Sequence, residues 1–169
     1  MFALGVDPGL SRCGYGAVVR ERSGLRAVAA GVIRTPPDQP VGERLAALLA
    51  ELRSLLAELG PDVVAVERVL FQANARTAMA VGQASGVALV AAAERGCPVA
   101  QYSPNEVKQA VVGYGSASKP QVQRMVQALL GLDERPHQPD TADALALAVC
   151  HLSGAPLRAA VAAKTGVAP

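Results

Sequence analysis

The chain has 169 residues, 51% of them hydrophobic, with a formal net charge of +2. That length fills one domain and is too short for two of ordinary size. No long segment carries more than one net charge, which excludes a basic tail; a DNA-binding surface would have to be assembled in space from scattered Arg and Lys. Cys13, Cys97 and Cys150 are odd in number and lack any CxxC spacing, so they predict reduced, packed thiols rather than a disulfide frame or zinc site. Arg12 interrupts the N-terminal apolar run before a signal-peptide core develops, which predicts a cytoplasmic protein.

The first predicted strand runs Leu4-Gly5-Val6-Asp7 into a Pro8-Gly9 turn. Alternation puts Phe2, Leu4 and Val6 on one face and Ala3, Gly5 and Asp7 on the other. Asp7 thus ends a core strand beside two residues with almost no side chain. A carboxylate there needs a cation, a hydrogen-bond donor or a paired charge. The bareness of Gly5 serves either a ligand beside Asp7 or the close packing of a helix. Strands over Tyr15–Val19 and Leu25–Ile33, joined by the polar loop Glu21-Arg22-Ser23-Gly24, complete an antiparallel meander. Thr35-Pro36-Pro37-Asp38-Gln39-Pro40 breaks the sheet. Leu45, Leu48, Leu49, Leu52, Leu55, Leu56 and Leu59 then recur at helical spacing until Gly60-Pro61.

Asp62 to Glu67 reads as a buried β-branched strand that again ends in an acid. A strand, helix, strand succession favours a parallel or mixed sheet. From Asn74 to Arg95 a long helix carries a stripe of small residues, Ala78, Gly82, Ser85 and Gly86, suited either to packing on the sheet or to pairing across a homodimer. Its uncharged core, Thr77 to Ala93, is short and poor in large apolar residues for a membrane span, so a buried helix is expected and no membrane partner. Pro98–Tyr102 is a fifth strand. Ser103-Pro104-Asn105-Glu106 and Ser118-Lys119-Pro120-Gln121 are capping boxes opening two further helices, with Gly113 to Ala117 between them. The last helix starts near Asp140 and is apolar all round through Cys150; residues 154–169, rich in Ala, Gly and Pro, are expected to be a disordered tail.

Asp140 and Asp143 are three apart and share a helix face. Taken alone they read as an N-cap and a first-turn acid. Asp7 and Glu67 change the weighing, because adjacent strands ending together would gather all four carboxylates. With no obvious lysine among them they would repel strongly, unless a divalent cation sits between them. Oxygen donors select Mg²⁺ or Mn²⁺ over zinc. His137 and His151 are lone histidines, read as a solvated loop residue and a helix-end residue. Two ions clamped by shared carboxylates are suited to phosphodiester hydrolysis.

The residues resemble the bacterial RuvC family, Holliday-junction resolving endonucleases of the ribonuclease H-like superfamily. The resemblance rests on Gly5-Val6-Asp7-Pro8-Gly9 with Gly14-Tyr15-Gly16, Val66-Glu67-Arg68-Val69 with Asn74-Ala75, and Gly82 to Val87. It continues through Val107-Lys108-Gln109, Gly113 to Lys119 with Gln121-Val122, and Ala142 to Ala146, covering the chain to about residue 153. It implies an α/β fold with a five-stranded mixed sheet flanked by helices, antiparallel in strands 1–3 and parallel in strands 4–5. It also implies a Mg²⁺-dependent homodimer, Mn²⁺ substituting, with two ions per site held by Asp7, Glu67, Asp140 and Asp143. The substrate implied is four-way junction DNA, and the partner a branch-migration motor. Lys108 and Lys119 match basic residues near the scissile phosphate, and Arg76 is a further candidate DNA contact. Where some members place a wedge phenylalanine this chain has Leu70, with Phe71 next, which either stacks on an unpaired base or anchors its loop.

Two other readings compete. Asp7-x-Gly9-x-Ser11 is similar to the phosphate turn of sugar-kinase and actin-like ATPases, but those need two such domains. The two capped helices could form a helix-turn-helix module, although the linking loop is longer than usual for one.

Overall fold

A computed structural model describes residues 1–68, 75–136 and 138–165, except the side chains of Arg76 and residues 155–165. Leu70, Phe71 and His137, and the Arg76 side chain, therefore lie outside the described residues.

Three strands, β1 (Phe2–Asp7), β2 (Arg12–Glu21) and β3 (Gly24–Arg34), form the expected meander. Helix α1 (Val41–Leu59) follows the proline-rich break and stops at Gly60, whose left-handed conformation (φ 58°) only glycine adopts without strain. Then come β4 (Val63–Glu67), α2 (Ala75–Glu94), β5 (Val99–Tyr102), α3 (Pro104–Val112), α4 (Lys119–Leu130) and α5 (Pro139–Thr165). The sheet order is β3-β2-β1-β4-β5, with β1–β2 and β2–β3 antiparallel and β1–β4 and β4–β5 parallel. This is the mixed sheet the sequence predicts.

The period of two in β1 and β4 divides the core. Leu4, Val6, Val64 and Val66 point to one face, where they meet Leu48, Leu52 and Leu56 of α1 and Ala84, Ala88 and Ala91 of α2. Ala3, Val63 and Ala65 point to the other, against Val107 and Val111 of α3, Val122 and Val126 of α4, and the Leu145–Leu152 stretch of α5. Asp7 and Glu67 continue the second series, so alternation commits both acids to the side of α3, α4 and α5. Because β1 and β4 are parallel, with Val6 beside Val66, the two carboxylates leave the sheet at the same, C-terminal end of the two strands.

Helix α5 lies directly on that face because the sheet beneath it is bare. A Cβ on Gly5 would overlap the carbonyl oxygen of Ala144, and one on Gly16 would come within 2.7 Å of the Leu145 nitrogen. Gly5 and Gly16 are register partners across β1 and β2. The space beside Asp7 is filled by helix backbone, which decides between the two purposes open for Gly5.

Three expectations need correction. Helix α5 begins at Pro139, so Asp140 lies inside the first turn instead of capping it. Helix α2 is not a buried helix: only 28% of its apolar window Thr77–Glu94, long and apolar enough by composition to cross a membrane, is buried. Of its small-residue stripe Ser85 is buried, whereas Gly82 and Gly86 face open space. The third concerns the charges around the carboxylates. The three cysteines are buried, as expected of packed thiols.

Candidate active site

Each carboxylate is placed by a local rule. Asp7 and Glu67 are delivered by strand alternation and parallel register, as above. Gly14 is the antiparallel partner of Asp7, and a Cβ there would overlap the backbone carbonyl of Asp140, so the start of α5 rests on the sheet beside Asp7. Asp143 follows one turn later. Asp7, Glu67 and Asp143 line one cleft of about 140 Å³ together with Lys108 of α3 and Lys119 of α4. Asp140 lies to the side of that cleft.

Helices α3 and α4 bring their lysines to this cleft because their starts are fixed. Ser103 and Glu106 form the predicted capping box, the Ser103 backbone N–H donating to Glu106 Oε2 at 2.8 Å and the Glu106 N–H to Ser103 Oγ at 3.3 Å. The Ser118 backbone N–H donates to Gln121 Oε1 at 2.8 Å, so Lys119 occupies the first turn of α4. Both helices pack through Val107, Val111, Val122 and Val126 onto α5. They are walls of this site, which removes the ground for reading them as a separate helix-turn-helix.

The electrostatics match a crowded acidic site. Burial first, then the neighbouring charges of Glu67, Asp143 and Asp140, push the Asp7 carboxyl from its ordinary 3.8 up to about 7. Burial and Asp143 raise Glu67 as well. The cluster is nevertheless not free of cations, contrary to the sequence expectation. Lys119 Nζ donates to Asp143 Oδ2 at 2.9 Å, and that bond holds the ammonium protonated beyond lysine's ordinary range. Arg12 Nε donates to Asp140 Oδ2 at 2.6 Å. With two carboxylates turned to cations, no three acidic, histidine or cysteine side chains among the described residues stand together as a ready metal cage.

Arg12 was missed in the sequence, although hairpin arithmetic points to it: Asp7 faces Gly14, so a residue two before Gly14 lies just beyond the acid. His151 is buried and its Nδ1 lies 2.8 Å from the hydroxyl of Tyr102, the register partner of Glu67.

A family model described as crossover junction endodeoxyribonuclease RuvC matches residues 3–151. A crossover junction endodeoxyribonuclease RuvC from Moorella thermoacetica is 54% identical over 158 residues, 94% of this chain and 95% of the relative. Among solved structures, RuvC of Thermus thermophilus superposes with a TM-score of 0.87 at 39% identity, covering 93% of this chain and 96% of that one. The same organism's RuvC in complex with Holliday junction substrate gives 0.85 at 37% identity, with the same coverage. A match spanning both strand-end acids, both lysines and the start of α5 leaves one assignment: the chain belongs to the RuvC family of crossover junction endodeoxyribonucleases.

Proposed function

We propose that this chain resolves four-way DNA junctions by paired, metal-dependent hydrolysis of phosphodiester bonds, acting in recombination and repair in the cytoplasm. The observation that carries the reading is the convergence of Asp7, Glu67 and Asp143 around Lys119 in one cleft, with Asp140 at its edge.

The donor set fits Mg²⁺, with Mn²⁺ as a substitute. All four side chains offer hard oxygen, Asp7 is held up to about 7 by burial and by the neighbouring acids, and Lys119 stands in among the acids as a cation. Asp7 and Glu67 would hold metal directly, Asp143 after leaving Lys119 and Asp140 after leaving Arg12, and four carboxylates suffice for two ions. When bound, magnesium neutralises the phosphodiester and makes water a stronger acid. The chain's own part is to bind and orient. Lys108 and Lys119 line the cleft where a phosphate would enter, and the backbone of α5 on Gly5 and Gly16 keeps water from the inner side of Asp7.

Cutting two opposed strands symmetrically calls for two sites related by a twofold axis, so the working unit is a homodimer. Helix α2 supports the role of contact: Met79 (67% exposed), Gly82, Gly86 and Val90 (48% exposed) follow at helical spacing along its uncovered side. The family resemblance adds a branch-migration motor as partner, which faster cutting in its presence would bear out.

The test compares cleavage of a four-way junction, a linear duplex and a single strand, with and without Mg²⁺. The junction alone should be cut, and only with metal. Asp7→Asn should bind the junction without cutting it; cutting by that variant at the wild-type rate would overturn the assignment of the site.

A further inference from the structure

Outside the carboxylate cleft the largest unabsorbed feature is a group of three arginines on the β2–β3 side of Asp140. Arg12 and Arg34 are register partners across the two strands. Like charges directly opposite on neighbouring strands destabilise a sheet, so the pairing needs a reason. Their heads converge on one acceptor: Gln138 Oε1 receives Arg34 Nη2 at 3.0 Å and Arg12 Nη2 at 3.4 Å. Only one carboxylate, that of Asp140, pairs with either of them among the described residues.

Arg44 fixes the ends of both strands. It is buried, at 8% exposure, yet among the described residues its guanidinium meets only neutral oxygen: Nη2 donates to Ser11 Oγ at 2.6 Å and Nε to Thr35 Oγ1 at 3.0 Å. Thr35 Oγ1 in turn donates to the Leu10 carbonyl at 2.5 Å. Ser11 precedes Arg12 and Thr35 follows Arg34. A buried arginine without an acid is expensive, and here it ties together the immediate neighbours of the two exposed ones. The result is a rigid base carrying a surplus of positive charge beside an acid of the active site.

We infer that Arg12 and Arg34 form a phosphate-binding rim that grips the DNA backbone on the Asp140 side of the cleft, with Arg44 as its positioning residue. The inference rests on the junction-endonuclease reading and extends it: Lys108 and Lys119 hold one flank of the scissile strand, and the arginine pair the opposite flank. Two planar guanidinium groups suit phosphate oxygens, which accept two hydrogen bonds from each. Gln138, neutral and shared, spaces the two heads without satisfying either charge.

The test uses Asp7→Asn as the uncut background and measures four-way-junction affinity between 50 and 200 mM salt. Each phosphate contact contributes about 0.9 to the slope of log affinity against log salt. Loss of two contacts in Arg12→Gln/Arg34→Gln should therefore leave the background losing about twelve-fold more affinity over that span than the double variant. Arg12→Lys/Arg34→Lys should retain most of the slope. Should the double variant melt early, Arg34→Gln decides alone, because Arg34 makes no ion pair among the described residues; about a 3.5-fold difference is expected. A slope equal to the background in these variants overturns the rim and leaves the functional reading standing. A background protein that does not bind the junction overturns both.

Discussion

The raised pKa of Asp7 makes the metal-free protein less stable than its fold allows, by an amount that depends on pH. The unfolded chain titrates this carboxyl near 3.8 and the folded one at about 7. Between those values the folded state keeps a proton that the unfolded chain has released, so stability falls as pH rises through the window and the penalty is complete above about 7. At 1.36 kcal/mol per pH unit the whole effect is about 4 kcal/mol, of which about 3 kcal/mol develops between pH 5 and 8. Asp7→Asn keeps the shape and removes the titration. Urea unfolding in EDTA at the two pH values, for wild type and variant, isolates the contribution, since Glu67 and the other acids are common to both. The variant should gain on wild type by about 3 kcal/mol in going from pH 5 to 8. Parallel curves would refute the burial and charge crowding assigned to Asp7. Adding Mg²⁺ at pH 8 should stabilise wild type by mass action and the variant much less.

Two substitutions of glycine should have opposite results. Gly5→Ala places a methyl against the carbonyl of Ala144 and 2.9 Å from the Ala148 nitrogen, backbone atoms that cannot turn aside. It should cost about 1–3 kcal/mol in urea unfolding and lower junction cutting, because lifting α5 moves Asp140 and Asp143 together. Gly82→Leu/Gly86→Leu meets nothing within 4 Å in the protomer and should leave its unfolding free energy unchanged or slightly improved, since glycine is a poor helix former. The same pair should shift the sedimenting species from dimer to monomer; an unchanged dimer would remove α2 as the contact.

Much of the fold could be read locally. Alternation in Leu4–Asp7 and Val63–Glu67 committed both strand-end acids to one face, and the serine caps at 103 and 118 located the helices that carry Lys108 and Lys119. What escaped was set by contacts between distant parts of the chain. Arg12 and Asp140 are 128 positions apart, and Lys119 and Asp143 are 24 apart. No periodicity links such pairs, so the acid cluster looked cation-free. Helix α2 failed for a different reason. A helix of small and apolar residues has the same pattern whether a sheet or a second protomer covers it, and here the sheet and α1 cover only the side bearing Ala84, Ala88 and Ala91.

Gly5, Gly14 and Gly16 join the two halves of the site. The candidate site draws its acids from two strands and a helix, yet strand side chains normally stand between a sheet and the helix packed on it. Removing three side chains in the β1–β2 pair lets α5 descend until its backbone touches the strands, which brings Asp140 against Gly14 and Asp143 into the cleft. The same descent buries Asp7, and burial is the largest cause of its raised pKa. Close packing and charge crowding thus have one origin. Asp7 is costly to ionise because the glycines bring α5 down over it, and a divalent cation among these acids would offset that cost.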